Sequence, residues 1–376
     1  MHDPVRLKEM EKALDFPGRI YQAREHACTL IAALTHPLAP GKGCIGGIHR
    51  GVLGEGGWKD AQTAIAHVSA KALEMRTKNA LHGLYKWANL DGAKYGILCE
   101  RPLTPRQRLS AYHGMGEFLR ILNDIEDRQI LAAGDVGTTP EDLGHAWSVC
   151  PAYIRGISED YGGVGNTGVY TAKGVLEAMQ IAQMIRFGDR HLFSVAIKGV
   201  GKAGKALLLA IRIRHGDKVK VVIADINPAQ YTQEIRYILG VNGGILDPES
   251  IHREGYHIFA PCAEMPEITP ATVDEIRCRM IIGAANTQCE SDELDDCIHE
   301  RGIFRLPGVL VNGMGVRMVG WEEELRRGLS VAHLFGRELA SFYVLVEDVV
   351  HEATRTGVAP YRIVRRIAAE ELAVSA

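Results

Sequence analysis

Apolar positions along this chain follow two different rhythms, and the change between them falls near the middle. In the first half, Ile65, Val68, Ala72 and Met75 recur at spacings of three and four, which predicts an amphipathic helix delivering Lys78 at or just after its C-terminal end. Thr104-Pro105-Arg106-Gln107 offers an N-cap hydroxyl, proline at the first helical position and glutamine at N3, so a helix should open there and run through Leu109, Tyr112 and Leu119. The apolar run Gln129-Ile130-Leu131-Ala132-Ala133 reads as a strand ending in Gly134-Asp135-Val136-Gly137, and Thr139-Pro140-Glu141-Asp142 reads as a second helix start. Asp135 then falls at a strand exit, where the strand fixes the backbone and the loop exposes the side chain. A further helix is expected from Thr171 to about Ile185.

From about residue 190 to 315 strand and helix signals alternate, as in a parallel sheet. Val195-Ala196-Ile197-Lys198 is a strand, Gly199-Val200-Gly201-Lys202-Ala203-Gly204 follows at once, and Lys205-Ala206-Leu207-Leu208-Leu209-Ala210 is helical. A tight turn, a close approach to pyrophosphate and close helix-to-strand packing each need a residue without a side chain, and the helix N-terminus supplies amides. A second strand, Val219 to Ala224, ends in Asp225 and Ile226, about twenty residues past the last glycine, where a carboxylate would hold ribose hydroxyls. An acid there would repel a 2′-phosphate, so NAD is expected rather than NADP. Three later runs read as strands ending in small or amide residues: Ile258 to Pro261, Met280 to Asn286 and Val309 to Gly313. Ligands sit beyond the carboxyl ends of such strands, which makes Asn286 and Asn312 candidates to face nicotinamide and substrate.

At 376 residues the chain is long enough for two domains and a cleft between them. An apolar fraction of 46% and a charged fraction of 24% are those of an ordinary soluble protein. A net charge of -3 gives no reason to expect nucleic acid or an anionic membrane as partner. The basic cluster Tyr361-Arg362-Ile363-Val364-Arg365-Arg366 reads as a solvated helix face. No apolar run approaches the roughly 18 residues that span a bilayer, and Met1-His2-Asp3-Pro4 lacks the regions of a signal peptide, so a cytoplasmic location is expected. Cysteines 28, 44, 99, 150, 262, 278, 289 and 297 form no Cys-x-x-Cys pair, and they read as reduced thiols with no metal site. Cys262 is expected to pack rather than to act as a nucleophile.

Taken in order, these motifs resemble the glutamate, leucine, phenylalanine and valine dehydrogenase family, its leucine and phenylalanine branch most of all. The resemblance runs from about residue 42 onward and rests on Ile45-Gly46-Gly47, Met75-Arg76-Thr77-Lys78-Asn79, Asp91-Gly92-Ala93-Lys94 and Asp135-Val136-Gly137-Thr138-Thr139. It continues in Gly165-Asn166, Thr171-Ala172-Lys173-Gly174-Val175, Ala260-Pro261-Cys262-Ala263, Ala285-Asn286 and Asn312 to Val316. It implies an α/β fold of two domains. Residues 1–155, completed by C-terminal helices 331–376, would bind substrate and oligomerise; residues 156–330 would form a doubly wound Rossmann domain for NAD. It also implies oxidative deamination of an amino acid to a 2-oxo acid by a homo-oligomer, a dimer or octamer. Lys94 and Asp135 would be catalytic. Lys78 would hold the substrate carboxylate, with Gly46, Gly47, Met75, Asn286 and Val316 also at the substrate. Thr171, Gly199, Gly201, Lys202, Ala203, Gly204, Asp225, Ile226, Cys262, Ala263, Ala284, Asn286 and Asn312 would bind the cofactor. The chemistry needs a base titrating near neutrality, which suits a lysine whose pKa is depressed by burial and a neighbouring cation.

The chain departs from this pattern between its two lysines. Lys78 and Lys94 are sixteen positions apart, more than in the family, with extra residues within Gly83-Leu84-Tyr85-Lys86-Trp87-Ala88-Asn89. Lys86 is a possible substitute cation, and Asp91 replaces a glycine and brings a carboxylate toward Lys94, where it would raise the lysine's pKa or bind a substrate cation. The side-chain pocket positions Ile45, Met75, Ala133, Val316 and Val319 are apolar, which favours an aliphatic or aromatic substrate over glutamate, whose second carboxylate would need Lys86 or Arg317. Two other readings stand beside this one: an imine reductase or noncanonical amine dehydrogenase, and a nucleotide-binding regulatory protein that has lost catalysis.

Overall fold

The computed structural model describes residues 8–9, 16–25, 27–35, 41–54, 58–188 and 194–374; the Met1-His2-Asp3-Pro4 segment lies outside them. Its strands are β1 (Lys8–Glu9), β2 (Gly18–Glu25), β3 (Cys28–Thr35), β4 (Gly43–Val52), β5 (Leu90–Cys99), β6 (Ile130–Gly134), β7 (Ser194–Lys198), β8 (Lys220–Ala224), β9 (Gly244–Ile245), β10 (Tyr256–Pro261), β11 (Cys278–Ile281) and β12 (Phe304–Arg305). Its helices are α1 (Ala61–Leu81), α2 (Leu84–Trp87), α3 (Pro105–Glu126), α4 (Pro140–Trp147), α5 (Thr167–Phe187), α6 (Lys202–His215), α7 (Gln233–Leu239), α8 (Asp292–Glu300), α9 (Gly308–Val311), α10 (Met314–Gly320), α11 (Glu322–Arg326), α12 (Val331–Thr356) and α13 (Pro360–Val374). Among the described residues no helix is long and apolar enough to cross a membrane.

The chain divides into two compact units. The first holds the described residues up to Thr167 with Val316–Val331 and those from Ala368 on; the second holds Gly168–Gly315 and Ala332–Ile367. The division falls about twelve residues later than the sequence pattern suggests, and residues 332–367 belong with the second unit instead of completing the first. Charge explains part of that membership: Arg362 pairs with Asp296 and Arg365 with Asp292, both on α8. The same pairs leave the arginines of the basic cluster on an exposed helix face, as expected, while Ile363 and Val364 are buried.

The first unit is a mixed sheet in the order β1-β2-β3-β5-β4-β6, antiparallel from β1 to β5 and parallel across β5, β4 and β6. Strand alternation splits β3 between two cores. Leu30, Ala32 and Leu34 pack with Tyr112, Met115, Phe118 and Leu119 of α3, whereas Ile31 and Ala33 pack with Ala64, Ile65, Val68 and Ala72 of α1. Helices α3 and α4 both start with the capping box and first-turn proline their sequences announce, Thr104 with Gln107 and Thr139 with Asp142. Along α3 Tyr112 and Leu119 are buried and Leu109 is exposed.

The second unit is a parallel sheet in the order β12-β11-β10-β7-β8-β9. Sequence direction reverses between β7 and β10, the switch point of a doubly wound sheet, so ligands are expected past the ends of those two strands. Helix α5 begins at Thr167, four residues before the expected start, which moves Thr171 inside it. The run Val309 to Gly313 is not a strand. It forms α9, and the strand of that region is the two-residue β12 just before it. Three apolar residues cannot distinguish a buried strand from a buried helical turn by periodicity; here Gly308 sits so close to Ala285 that a Cβ would lie 1.8 Å from its carbonyl oxygen.

Inside this unit the Arg305 guanidinium is buried against both carboxylate oxygens of Asp295 and donates to Gln288 Oε1 at 3.1 Å. Asp295→Ala is expected to lower the unfolding free energy by about 3 kcal/mol, because the remaining cation stays buried. Urea denaturation measures this; a change within experimental error would mean that the charge finds water.

Candidate active site

Strand β4 runs between β5 and β6, and its centre is bare. Gly46 faces β5 so closely that a Cβ would fall 2.0 Å from Ala93 O and 2.9 Å from Lys94 N, and a Cβ on Gly47 would fall 2.7 Å from Asp135 Cβ. Across this gap Lys94, from β5, forms an ion pair with Asp135, the first residue past β6. The lysine is 3% exposed while the aspartate side chain keeps 29% of its surface, so the pair is anchored from the buried side and open at the acid.

The mount of Asp135 is built from the motif that follows it. Asp135 N donates to Ile48 O at 3.2 Å, Thr138 N donates to Asp135 O at 3.1 Å, and Thr138 Oγ1 donates to Ile48 O at 2.8 Å and lies 2.7 Å from the Tyr112 hydroxyl. Gly137 is left-handed at φ +72°, and its carbonyl accepts two bonds from the Arg50 guanidinium. A loop held at this many points fixes the carboxylate as firmly as a strand would.

Helix α1 brings Met75 and Lys78, three residues apart and so on one face. Its register is set by Gly92, where a Cβ would lie 2.3 Å from Arg76 N, and by Asp91. Arg76 grips both Asp91 oxygens at 2.8 and 2.9 Å, Gly92 N donates to Asp91 Oδ1, and Asn79 Nδ2 donates to Asp91 O at 2.8 Å. The fully buried Asp91, already paired with Arg76, is therefore a strut for α1, which corrects the expectation that it binds a substrate cation. Lys86 is exposed on α2, and Arg317 is buried, donating to His82 Nδ1 at 3.1 Å. Ile45, Ala133 and Val319 are buried, and Met75 and Val316 are half-buried.

Burial pulls the Lys78 pKa down from 10.5 to about 8; Glu74 opposes the shift and Lys71 adds to it. Burial, and then the charge of Lys94, hold His49 down to about 2, so this histidine of β4 is neutral. Neither His49 nor the Arg76 and Asp91 pair stands out in the sequence. The one signal was Asp91 itself, a carboxylate in place of a glycine.

In the second unit the loop after β7 meets the loop after β10. Gly199 has φ +94°, and a Cβ there would lie 2.6 Å from Ala263 N; a Cβ on Gly204 would lie 1.9 Å from Gly199 O. Around Gly201 nothing lies within 4 Å of such an atom, and Gly201 caps α6 with no side-chain hydrogen bond. Lys202 is exposed and Ala203 half-buried in the first turn. This is a cradle with uncapped amides and free space, as a dinucleotide pyrophosphate requires. Asp225 accepts from Val200 N at 2.6 Å and from Asn227 N at 2.8 Å, and the next residue, Ile226, is 81% exposed. Asn312 Nδ2 donates to Ala284 O at 2.9 Å and to Asn286 Oδ1 at 2.6 Å, bringing those three positions together. Thr171 is half-buried on α5. Burial pushes the Cys262 thiol up to about 12, which suits packing and not nucleophilic attack.

A depressed lysine pKa is also a statement about stability. The folded protein resists protonating Lys78, so its cost is complete below pH 8 and disappears as pH rises from 8 to 10.5. Lys78→Met is expected to be more stable than wild type by about 3 kcal/mol at pH 7, the gap closing by pH 10.5. Urea denaturation at the two pH values measures it, and a gap independent of pH would count against a buried ammonium.

Residues 162–331 match the model of the Glutamate/Leucine/Phenylalanine/Valine dehydrogenase family. The chain is similar to a leucine dehydrogenase of Bacillus subtilis, 29% identical over 84% of this chain and 81% of the relative. It is also similar to a phenylalanine dehydrogenase of Thermoactinomyces intermedius, 33% identical over 63% of each. Among solved structures, its fold is shared with L-tryptophan dehydrogenase from Nostoc punctiforme, with a TM-score of 0.63 at 20% identity over 93% of this chain and 92% of that one. The hetero-hexameric glutamate dehydrogenase of Thermus thermophilus superposes with a TM-score of 0.76 at 16% identity, over 99% and 88% of the two chains. These matches, with the ordered motifs and the two sheets that carry them, make the chain similar to the glutamate, leucine, phenylalanine and valine dehydrogenase family, whose members are pyridine-nucleotide-dependent oxidoreductases.

Proposed function

We propose that this chain carries out the NAD-dependent, reversible oxidative deamination of an L-amino acid with a branched aliphatic or aromatic side chain, yielding the 2-oxo acid and ammonia. The buried Lys94 and Asp135 pair held across Gly46 and Gly47 carries this reading. A base and an acid in contact suit a reaction that moves several protons at one carbon. Lys94 removes a proton from the substrate amine and later from the water that attacks the imine. Asp135 passes protons to and from the substrate nitrogen and the carbinolamine that water addition forms.

Lys78 holds the substrate carboxylate, which offsets the cost of its own buried charge. The bare backbone of Gly46 and Gly47 leaves room for the substrate, and Met75 and Val316, with Ile45, Ala133 and Val319, wall its side chain. A glutamate side chain is not favoured, since Arg317 donates to His82 and Lys86 is exposed.

In the second unit Gly199, Gly201, Lys202, Ala203 and Gly204 would cradle the pyrophosphate, Asp225 would take the ribose hydroxyls and Ile226 would lie against the adenine. Thr171, Cys262, Ala263, Ala284, Asn286 and Asn312 would hold the nicotinamide half. Nicotinamide, when bound, supplies the hydride acceptor. A homo-oligomer is the proposed working form. A noncanonical amine is the second reading for the substrate, favoured by the tryptophan borne on the extra residues before Lys94. A silent nucleotide-binding protein is the least supported, since those residues fold into α2 and leave Lys94 against Asp135.

Incubation with NAD and leucine, valine or phenylalanine is expected to produce NADH. Lys94→Ala should abolish that turnover while NAD binding, measured by calorimetry, stays within about twofold, and Asp135→Asn should lower kcat by about 10²-fold or more. Full activity in Lys94→Ala removes this lysine from the mechanism. Asp225→Ser is expected to reduce the preference for NAD over NADP by roughly tenfold, read as the ratio of kcat/KM values; an unchanged ratio would assign cofactor choice to other residues.

A further inference from the structure

The extra residues between the two site lysines form a folded element with defined partners. Gly83, left-handed at φ +79°, turns the chain out of α1 into α2; a Cβ there would meet Trp87 Cδ1 at 3.0 Å. Leu84 and Tyr85 are buried, and the Tyr85 carbonyl accepts from Lys42 Nζ at 2.8 Å while that ammonium lies 3.8 Å from the tyrosine ring centre. The base of α2 is therefore fixed.

Its outer end bears on α10. Trp87 stacks on Trp321 with ring centres 4.1 Å apart and planes 10° from parallel. A Cβ on Gly320 would crowd the stack, lying 3.0 Å from Trp87 Cη2 and 3.2 Å from Leu84 Cδ2. One turn earlier Arg317 donates to His82, the cap residue of α1. Arg317 and Trp321, four apart, share a face and Val316 and Val319, three apart, share another, with Gly320 between the two. Segment 82–87 thus holds α10 by one face while a second carries the apolar residues assigned to the substrate pocket.

We propose that the Trp87 and Trp321 stack is the specificity-determining element of this enzyme: it sets how far α10, with Val316 and Val319, stands from the substrate side chain. Trp87, Trp321 and His82 are positioning residues that touch neither substrate nor cofactor. This inference rests on the amino-acid dehydrogenase reading of the same site. A pocket wall discriminates by single methylene groups, each a factor of about ten or more in kcat/KM. A small displacement of α10 therefore changes which side chain fits and leaves the proton chemistry of Lys94 alone.

The test uses the full-length protein, NAD and the amino acids leucine, valine and phenylalanine. Trp87→Ala is expected to shift the ratio of kcat/KM for leucine to that for phenylalanine by about tenfold, mainly through KM, with the KM for NAD unchanged. Trp87→Phe, which keeps an aromatic face on Trp321, should restore the wild-type ratio. Gly320→Ala, which intrudes on the stack from α10, should shift the ratio as Trp87→Ala does. The exciton couplet of the stacked indoles in circular dichroism reports the stack independently and should vanish in Trp87→Ala. Loss of the couplet with all substrate ratios within about twofold of wild type overturns the proposal, as does an equal fall in activity on every substrate. A wild type that reduces no cofactor with any of the amino acids overturns the parent reading and this one with it.

Discussion

The site depends on a steric constraint: two adjacent residues of β4 have no side chains. Lys94 and Asp135 come from strands on either side of β4, and the spaces a Cβ would need at positions 46 and 47 are filled by the backbone of Ala93 and Lys94 and by Asp135 itself. Any larger residue would part the pair or displace a strand that is hydrogen-bonded on both edges. The glycine pair therefore acts by absence, which lets a cation and an acid approach one another over a strand that lies between them.

The second dependence is on charge taken out of water. Asp91, Arg76 and Asn79 tie α1 to β5, and the helix so fixed carries Lys78 into a setting where its ammonium is disfavoured. Under the proposed function a substrate carboxylate is its counter-ion, and the cost is recovered on binding. Function is stored here as local instability, a common trade at binding sites. The neutral His49 beside Lys94 belongs to the same cationic neighbourhood, in which burial and like charge together keep protons off the weaker bases.

In the second unit glycine again decides, for another reason. Gly199 and Gly204 permit backbone to approach backbone at the switch point, whereas the space beside Gly201 is left open. The side-chain amide of Asn312 then joins Ala284 and Asn286, on the loop after β11, into one polar edge.

Some of this was settled by the amino-acid order alone, because it depends on neighbours within a few positions. The capping boxes at Thr104 and Thr139, the strand, glycine loop and helix around Gly199 to Gly204, and Asp135 at a strand exit are all local, and the structure has each of them. Other features required the tertiary fold. Asp91 finds its partner fifteen residues away on a helix, so its role as a strut was hidden. Residues 309–313 are an apolar run too short for periodicity to classify, and close contact at Gly308 accompanies a helical turn there. The membership of residues 332–367 and the stacking of Trp87 on Trp321 join positions far apart in the chain. Hydrophobic rhythm tells a segment which face to bury; only packing against a distant partner decides what that face meets.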